Sequence, residues 1–386
     1  MRVKILGGAG AVGTAVARDL LRSRAVEQVV IADIREEAAR LAARSLADER
    51  AGWERLDVND AASLRKVVDG RALIANCIGP HYRYARRIAE AAIEAGANAC
   101  DICDDYDAAE AVLGLDARAR QAQVTLITCL GTSPGVTNML AKRGSEQLDE
   151  TEEIHTYWAV GGSDPTGPSE VYHLAHICSG TVPQFLEGEL KQVPALSGAK
   201  GVKFPDPVGK LSISYIGHSE PVTLSRFIPG VKTVTNRGGL FPQELNELVR
   251  VMRDIGLFSD SSLTVKGTEL APRDYTAVHI RHVLENSPDA LGLGNVEGIS
   301  VFRVEAIGKR QGKWTKVTYS GTNEVVTTTA RSLSIGVQML GEGKVAGKGV
   351  LAPEACLATG EFFARLAVDG GITLAEEIRS RSRLIG

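Results

Sequence analysis

The sequence feature that most constrains the fold is a glycine pattern near the N-terminus. Gly8, Gly10 and Gly13 follow a strand-like segment at residues 2–6 and precede a helical pattern at residues 14–21. In this context the first glycine permits a tight turn, the second lets a pyrophosphate approach the backbone, and the third lets the helix pack on the strand. The pattern predicts dinucleotide binding; a glycine turn in a flavodoxin-like sheet is the alternative.

Strand-like and helical segments alternate over the first part of the chain. Apolar runs of the buried parallel-strand type occupy residues 29–32, 72–77 and 124–128, and helical patterns occupy residues 36–46 and 84–95. This alternation is typical of a doubly wound α/β sheet. We therefore predict an N-terminal Rossmann dinucleotide-binding domain.

A different pattern follows from residue 134 onward. Strand-like segments succeed one another at residues 154–160, 210–216, 222–227, 232–235, 299–307 and 314–320, with helical patterns at 244–254 and 274–286. Consecutive strands, including a hairpin signal at Gln311-Gly312-Lys313, favour an α+β domain with a mostly antiparallel sheet. We predict that residues 134–329 form this substrate and dimerisation domain, inserted between residues 1–133 and returning C-terminal helices in residues 330–386.

Composition excludes several classes of protein. Hydrophobic residues make up 44% of the 386 positions, which is ample for a core, and 44 Lys and Arg against 47 Asp and Glu give a net charge of -3. This balance argues against a nucleic-acid partner and a membrane surface. No signal-peptide pattern or long apolar run is present, so we predict a cytoplasmic protein. The C-x-x-C of Cys100 and Cys103 lacks a second ligand pair, so no metal site is predicted.

Asp33 ends the second predicted strand about 20 residues beyond the glycine motif. An acidic side chain there bonds the ribose hydroxyls of NAD and repels the 2′-phosphate of NADP. Arg35, two residues later, is able to pair with a 2′-phosphate instead. On electrostatic grounds we predict NAD as the more favoured cofactor.

Two further loops follow strands of the same predicted sheet. Ligands of such sheets bind outside the carboxyl ends of the strands, so Asp57 and Val58 are expected beside the adenine, with a simple strand-end turn as the alternative. The loop from Cys77 to Pro80 is expected beside the nicotinamide ribose. The predicted cofactor-binding residues are Gly8, Gly10, Ala11, Val12, Gly13, Asp33, Arg35, Asp57, Val58, Cys77, Ile78, Gly79 and Pro80.

The order of the motifs resembles that of the saccharopine dehydrogenase superfamily, which includes lysine 6-dehydrogenase and carboxynorspermidine dehydrogenase. The segments that carry the resemblance are the glycine motif and residues 78–80, 94–101, 130–139 and 348–354. Residues 130–140 and 145–150 look most like lysine 6-dehydrogenase. The resemblance implies oxidation or formation of a C–N bond of an amino acid beside a nicotinamide. Together with the exposed edges usual in antiparallel sheets, it also implies a homodimer.

The chain departs from the superfamily pattern at two places. Saccharopine-forming enzymes tend to carry an acid before the Pro-Gly, where this chain has Ser133. Many relatives have Gly-Glu where this chain has Asp104 and Asp105. These departures bear on the identity of the substrate.

The predicted catalytic candidates are Asp104, Asp105, Tyr82 and His173. The two adjacent carboxylates follow a strand and suit a substrate ammonium, although a solvated acidic loop that caps the next helix is the alternative. Tyr82 projects from the Gly79-Pro80 turn. His173 lies on a predicted helix as a proton relay or, alternatively, as a core or interface histidine.

The predicted substrate-binding candidates are Thr132, Ser133, Asn138 and Arg226. Backbone N–H groups around Thr132 and Ser133 are placed to bind a carboxylate; the alternative is a helix cap at Ser133 with Pro134 at the first helical position. Asn138 lies inside a helix, where asparagine is disfavoured. Arg226, on a predicted strand, suits a bidentate carboxylate clamp or a surface ion pair.

The sequence thus predicts an NAD(P)-dependent oxidoreductase, with lysine 6-dehydrogenase-like oxidative deamination as the leading reaction. A saccharopine- or carboxynorspermidine-type imine reductase is the first alternative. A non-catalytic dinucleotide sensor and a redox-neutral deaminase that uses bound NAD are alternatives from other classes.

Overall fold

The computed structural model describes residues 1–161, 168–287, 300–369 and 371–381, and the chain separates into two compact units. The first unit comprises Met1–Arg143, Arg226–Ile228 and Val326–Gly371. The second comprises Gly144–Ser225, Pro229–Val325 and Ile372–Gly386. Ile299, predicted to begin a strand, and residues 382–386 of the predicted returning tail lie outside the described residues.

The strands are β1 (Arg2–Leu6), β2 (Gln28–Asp33), β3 (Ala51–Arg55), β4 (Leu73–Asn76), β5 (Ala99–Asp101), β6 (Thr125–Ile127), β7 (Glu150–Gly161), β8 (Thr181–Leu186), β9 (Glu189–Pro194), β10 (Lys200–Lys203), β11 (Lys210–Tyr215), β12 (Thr233–Phe241), β13 (Leu263–Val265), β14 (Thr268–Leu270), β15 (Ser300–Arg310), β16 (Lys313–Asn323), β17 (Gly349–Leu351) and β18 (Ile372–Arg381).

The helices are α1 (Ala11–Leu21), α2 (Glu36–Ser45), α3 (Ala61–Val67), α4 (His81–Glu94), α5 (Tyr106–Leu113), α6 (Asp116–Gln121), α7 (Val136–Ser145), α8 (Pro168–Ile177), α9 (Glu220–Phe227), α10 (Gln243–Asp254), α11 (Pro272–Asn286), α12 (Val325–Gly341), α13 (Pro353–Cys356) and α14 (Thr359–Leu366), followed by a 3-10 turn at Ala367–Asp369. Within the described part of the chain, none of these helices has the length and apolarity needed to cross a bilayer.

The first unit is built on a seven-stranded sheet in the order β17-β6-β5-β4-β1-β2-β3, and every pair in it is parallel. Val3, Ile5 and Ile31 are completely buried, as expected when helices cover both faces of a parallel sheet. The carboxyl ends of all seven strands therefore lie at one edge. This arrangement confirms the predicted Rossmann fold class.

The second unit holds a nine-stranded mixed sheet whose main path is β10-β11-β12-β7-β15-β16-β18. The β12–β7 pair is parallel, and the other pairs of this sheet are antiparallel. Neighbouring residues of β7 face opposite sides: Tyr157 belongs to a core cluster with Phe204, and Trp158 to another with Val249. The predicted hairpin is confirmed, since Gln311 and Gly312 take positive φ values of 51° and 73° between β15 and β16.

Two predicted segments differ from the structure. Residues 222–227 form most of the helix α9 and not a strand, because Ser219 O accepts hydrogen bonds from the N–H groups of Val222 and Thr223. A short apolar run does not by itself distinguish a strand from a buried helix. The predicted returning helices are present as α12 and α14, but residues 372–381 of the tail form the strand β18, because β16 supplies a ten-residue pairing partner.

Candidate nucleotide-binding and catalytic site

The glycine loop between β1 and α1 has a shape that side chains would disrupt. Gly7 has a φ of +73°, and its N–H donates to Ala32 O at 2.8 Å. A Cβ on Gly13 would lie 2.6 Å from Gly7 O and 2.6 Å from the Cα of Gly8. The loop is therefore closed upon itself, and only glycine at position 13 lets α1 begin directly above the end of β1.

The N-terminus of α1 is suited to an anion. Gly10 is the N-cap residue, it makes no side-chain capping bond, and the first helical turn carries no acidic residue. The first N–H groups of a helix lack intrahelical acceptors, and those of Ala11, Val12 and Gly13 belong to this turn. The residues present thus fit the pyrophosphate of a dinucleotide.

Asp33 is tied to this loop. Its side chain is 7% exposed; Oδ2 accepts the N–H of Ala9 at 3.2 Å, and Oδ1 accepts the N–H and the Nε–H of Arg35 at 3.1 and 3.3 Å. The Arg35 side chain is otherwise 63% exposed. A buried carboxylate and an exposed guanidinium therefore lie together at the carboxyl end of β2.

The turn after β3 holds Asp57 and Val58. Asp57 Oδ1 accepts the N–H of Asn59 at 2.9 Å, and Ser63 Oγ accepts the N–H of Asp57 at 3.0 Å. Val58 is buried, with 8% of its surface exposed. The strand-end turn is thus present, and contact of these residues with adenine stays a prediction.

The loop after β4 lies against the glycine loop. The Cys77 N–H donates to Leu6 O at 2.8 Å, and a Cβ on Gly7 would approach Cys77 O to 2.9 Å. Asn76 Oδ1 accepts the Ile78 N–H at 3.0 Å, and the Gly79–Pro80 peptide bond is cis. Burial raises the pKa of the Cys77 thiol to about 12, so the thiol of this loop residue is uncharged at neutral pH.

The acidic loop after β5 gives its two aspartates different surroundings. Asp105 is completely buried at the N-cap position of α5, and its Oδ2 accepts the N–H of Tyr82 at 2.9 Å in the first turn of α4. Asp104 is only half-buried. The structure therefore brings Tyr82 and Asp105 together and leaves Asp104 as the aspartate of the pair with more access to solvent.

A third carboxylate of this region, Asp101, was not predicted as a site residue. Oδ1 accepts bonds from Thr128 Oγ1 at 2.8 Å, Cys103 N at 2.9 Å and Cys129 N at 3.1 Å. Burial raises the pKa of Asp101 above its usual range, although the charge of His81 opposes this rise. Asp101 thus joins the loops that follow β5 and β6, and its place at a strand end was the available signal.

The loop that precedes α7 contains the predicted substrate residues. The helix begins at Val136, so the prediction that Ser133 caps it with Pro134 at the first helical position is wrong. Gly135 has a φ of +124°, which is not helical, and a Cβ there would lie 2.0 Å from Gly131 O. A tight turn therefore separates Ser133 from the helix.

Side chains secure this turn from both ends. Buried Asn138 accepts the Gly135 N–H with Oδ1 at 3.3 Å, and Thr132 Oγ1 shares a hydrogen bond of 3.0 Å with Thr329 Oγ1. Arg226 lies in α9 and not on the predicted strand, with its guanidinium 5.6 Å from the ring centre of Phe227. The roles of these residues in substrate binding stay predictions.

The second unit contains an oriented histidine that sequence reasoning missed. His218 is 3% exposed, and its Nδ1 lies 2.8 Å from Oε2 of the fully buried Glu220. Its ring centre lies 5.3 Å from that of Trp158 and 5.5 Å from that of the predicted His173 on α8. A carboxylate that fixes one imidazole nitrogen leaves the other aimed for proton transfer. The available signal was His218-x-Glu220 directly after a strand.

A cavity of about 550 Å³ lies in the second unit beside this histidine. Trp158, Leu174 and Ile216 contribute apolar surface to it, and Lys210 and Arg250 are its positively charged lining residues. The second unit thus has both an oriented histidine and a cavity.

Two family models together match almost the whole chain. Residues 3–127 match the saccharopine dehydrogenase NADP binding domain, and residues 131–372 match the saccharopine dehydrogenase C-terminal domain. The chain belongs to the saccharopine dehydrogenase family, a family of NAD(P)-binding oxidoreductases.

Solved structures resemble this fold. Saccharopine dehydrogenase (L-Glu forming) from Saccharomyces cerevisiae aligns with a TM-score of 0.68 and 16% identity over 98% of this chain and 99% of the yeast chain. C. glutamicum DAP dehydrogenase with DAP aligns with a TM-score of 0.43 and 14% identity over 94% and 95% of the two chains. The similarity to the yeast structure supports the two-unit fold. The structural similarity to the C. glutamicum enzyme is weak.

Proposed function

We propose that this protein is an NAD(P)-dependent oxidoreductase that acts on the C–N bond of an amino acid, with lysine 6-dehydrogenase-like oxidative deamination as its leading reaction. The observation that carries the proposal is the glycine loop, closed on itself and tied through Ala9 to Asp33. Both family models that match this chain describe domains of a dehydrogenase.

The two units divide the work in this proposal. The first unit binds the dinucleotide through the loops at the carboxyl edge of its parallel sheet. The second unit is the substrate and dimerisation domain, and contributes the His218–Glu220 pair and the cavity beside Trp158. The bounds of the units differ from the predicted ones, since the first unit extends to Arg143 and the last strand, β18, belongs to the second unit.

We favour NAD over NADP for the cofactor, although the matched N-terminal model is described as an NADP binding domain. Asp33 supports this preference, because its carboxylate is held by backbone N–H groups and cannot turn away from a 2′-phosphate. Arg35 supports the opposite preference, since its guanidinium bonds to Asp33 Oδ1 and is otherwise exposed, so that it is accessible to a 2′-phosphate. The relative KM values for NAD and NADP decide between the two.

The reaction begins with an ammonium group that must lose a proton. Asp104 is the proposed base, and Asp105 holds the first turn of α4 through its bond to the Tyr82 N–H. When bound, the nicotinamide supplies an acceptor for the hydride of the amine-bearing carbon. The substrate thereby loses two electrons and becomes an imine, and water hydrolyses this imine to an aldehyde and ammonia. His218, oriented by Glu220, is the proposed group that moves protons during hydrolysis.

The test is to incubate the purified protein with NAD or NADP and a panel of amino acids that includes lysine and saccharopine. Reduced cofactor, detected by its near-ultraviolet absorbance, and ammonia released in equal amount with lysine support the proposal. Cofactor binding with no turnover on any amine contradicts it and favours a dinucleotide sensor. Ammonia without reduced cofactor favours redox-neutral deamination.

A saccharopine- or carboxynorspermidine-type imine reductase is the second candidate. The observation that favours it is the cavity of about 550 Å³, lined by Lys210, Glu247 and Arg250 among others, which has room and charged groups for a larger substrate. Its test is the reverse assay, in which reduced cofactor is consumed only when an amine and a carbonyl acid are both present.

A further inference from the structure

The cavity of the second unit is lined by a tryptophan whose ring nitrogen lacks an acceptor. Trp158 is 9% exposed, and among the described residues no atom accepts a hydrogen bond from its Nε1–H. A buried indole N–H usually has a partner, because its burial without one costs free energy. Since Trp158 lines the cavity, this donor points to a ligand that supplies an acceptor.

The glycine at position 238 determines where this N–H lies. In the sheet, Gly238 of β12 has Trp158 of β7 on one side and Ser214 of β11 on the other. A Cβ on Gly238 would lie 2.4 Å from Cε2 of Trp158, which is the ring atom bonded to Nε1. The edge of the indole that carries the N–H therefore lies over Gly238, and Gly238 is itself part of the cavity lining.

A positive charge lies at the next position of this row. Arg250 of α10 lines the cavity, and it donates to Ser214 Oγ from Nη2 at 3.5 Å and to Leu196 O from Nη1 at 3.0 Å. Both acceptors are uncharged, so these bonds orient the guanidinium without neutralising it. An indole N–H over Gly238 and a guanidinium at Ser214 suit a carboxylate, which accepts hydrogen bonds from both.

A negative charge accompanies this cation. Glu247 also lines the cavity and precedes Arg250 by three residues on α10, so the two side chains are neighbours on the helix surface. Lys210, a further charged lining residue, is exposed at the start of β11. Neighbouring positive and negative charges match the carboxylate and the ammonium that an amino acid carries on its α-carbon.

The apolar part of the lining leads toward the proposed proton-transfer group. Leu174 and Ile216 pack with Trp158 in one apolar cluster, and both line the cavity. Ile216 precedes His218 by two residues, and the ring centre of His218 lies 5.3 Å from that of Trp158. An aliphatic chain that follows this surface would extend from the charged groups toward His218.

We propose that this cavity holds the α-amino-acid end of a substrate whose reacting amine lies at the far end of an aliphatic chain. The α-carboxylate accepts the Trp158 Nε1–H and faces Arg250, and the α-ammonium faces Glu247. Trp158 is thus a specificity-determining residue. This inference rests on the proposed oxidation of an amino-acid amine, and it selects terminal side-chain amines over α-amines.

The test compares lysine with two analogues of the same chain length. Cadaverine lacks the carboxylate of lysine, and ε-aminocaproate lacks its α-ammonium. Trp158→Phe keeps an aromatic ring and is expected to lower kcat/KM for lysine relative to cadaverine by roughly tenfold, because a donor to a charged acceptor is lost. Glu247→Gln is expected to lower kcat/KM for lysine relative to ε-aminocaproate by roughly threefold, because an exposed charge pair is lost.

The matched control is Trp53→Phe, which replaces an exposed tryptophan of the first unit and should leave both ratios unchanged. A Tm and a circular dichroism spectrum equal to those of the wild type show that Trp158→Phe is folded. If this variant does not fold, Glu247→Gln still tests the cavity, since Glu247 is exposed and its replacement removes no packing.

The outcomes separate this inference from the proposed reaction. Oxidation of lysine with both ratios unchanged in the two cavity variants overturns the cavity assignment and leaves the reaction in place. If the wild type oxidises no amine, calorimetric titration with lysine decides. Lysine binding that is weakened in Trp158→Phe but not in Trp53→Phe then supports the cavity assignment although the reaction has failed, and no lysine binding overturns both.

Discussion

The loops of the first unit and the sheet faces of the second unit carry polar groups in different ways. In the first unit, Asp33, Asn76 and Asp105 all bond to backbone N–H groups of nearby loops at one sheet edge. In the second unit, His218 bonds to Glu220 and Arg303 bonds to Glu305, side chain to side chain. The first arrangement shapes the backbone around a ligand, and the second fixes the orientation of ionisable groups.

The largest expected effect tests whether the backbone of the glycine loop in the first unit binds the nucleotide. Gly13→Val should abolish nucleotide binding and cost about 2–3 kcal/mol of stability, because even a Cβ would lie 2.6 Å from Gly7 O. Calorimetric titration with NAD and NADP measures the first effect, and urea unfolding the second. Gly360→Val is the control, since a Cβ at Gly360 has no described atom within 4 Å. Normal cofactor affinity in Gly13→Val would refute the proposed binding loop.

The next effect tests the side-chain arrangement. His218→Asn should lower kcat roughly 10²- to 10⁴-fold with little change in cofactor affinity, because a positioned proton-transfer group is lost. Glu220→Gln should lower kcat less and alter the pH profile, since the imidazole remains but its orienting partner changes. His279→Asn replaces an exposed histidine and serves as the control. Equal kcat values in the His218 and His279 variants would contradict a role of His218 in proton transfer and would indicate a purely structural role.

Asp33 tests whether the backbone-bound carboxylate also selects the cofactor. Asp33→Asn removes the charge and keeps an oxygen for the Ala9 N–H, so kcat/KM should shift toward NADP by about tenfold. Arg35→Ala should shift the ratio toward NAD, because it removes the only positive charge bonded to Asp33 in the described structure. Steady-state kinetics with both cofactors measure the ratio. Identical ratios in the wild type and Asp33→Asn would contradict the electrostatic argument.

The smallest effect concerns Glu305, which is 6% exposed. Burial would raise its pKa, but hydrogen bonds and charges from Arg303 and Lys316 outweigh burial and lower the pKa below its usual value. The folded state therefore gains stability from the ionised carboxylate above the unfolded-state pKa, and loses it as the pH falls through the folded-state pKa.

Glu305→Gln should thus cost about 1–2 kcal/mol at neutral pH and progressively less in acid. Urea unfolding from neutral to acidic pH measures the difference, with Glu187→Gln as an exposed control. A pH-independent loss would show that packing, and not charge, is responsible.

Local sequence was sufficient for the first unit. The glycine loop of the first unit, and likewise the Gln311-Gly312 turn of the second unit, depend on backbone conformations that few residue types permit, so the local sequence predicts them. The side-chain pairs of the second unit depend on which strands become neighbours. His218 meets Trp158, sixty residues away in sequence, only after the sheet has formed. Residues 222–227 were misassigned and β18 was missed for the same reason, because long-range packing decided their structure.

The strand β17 has a consequence for synthesis on the ribosome. It closes the edge of the first sheet against β6: Leu351 O accepts the Thr128 N–H at 2.9 Å, and Gly347 O accepts from Thr125 Oγ1 at 3.0 Å across 222 positions of sequence. Translation must therefore pass residue 351 before this sheet is complete, by which time nearly all of the second unit has left the exit tunnel or lies within it. The growing chain must hold six strands of an unfinished sheet while an entire unit is made.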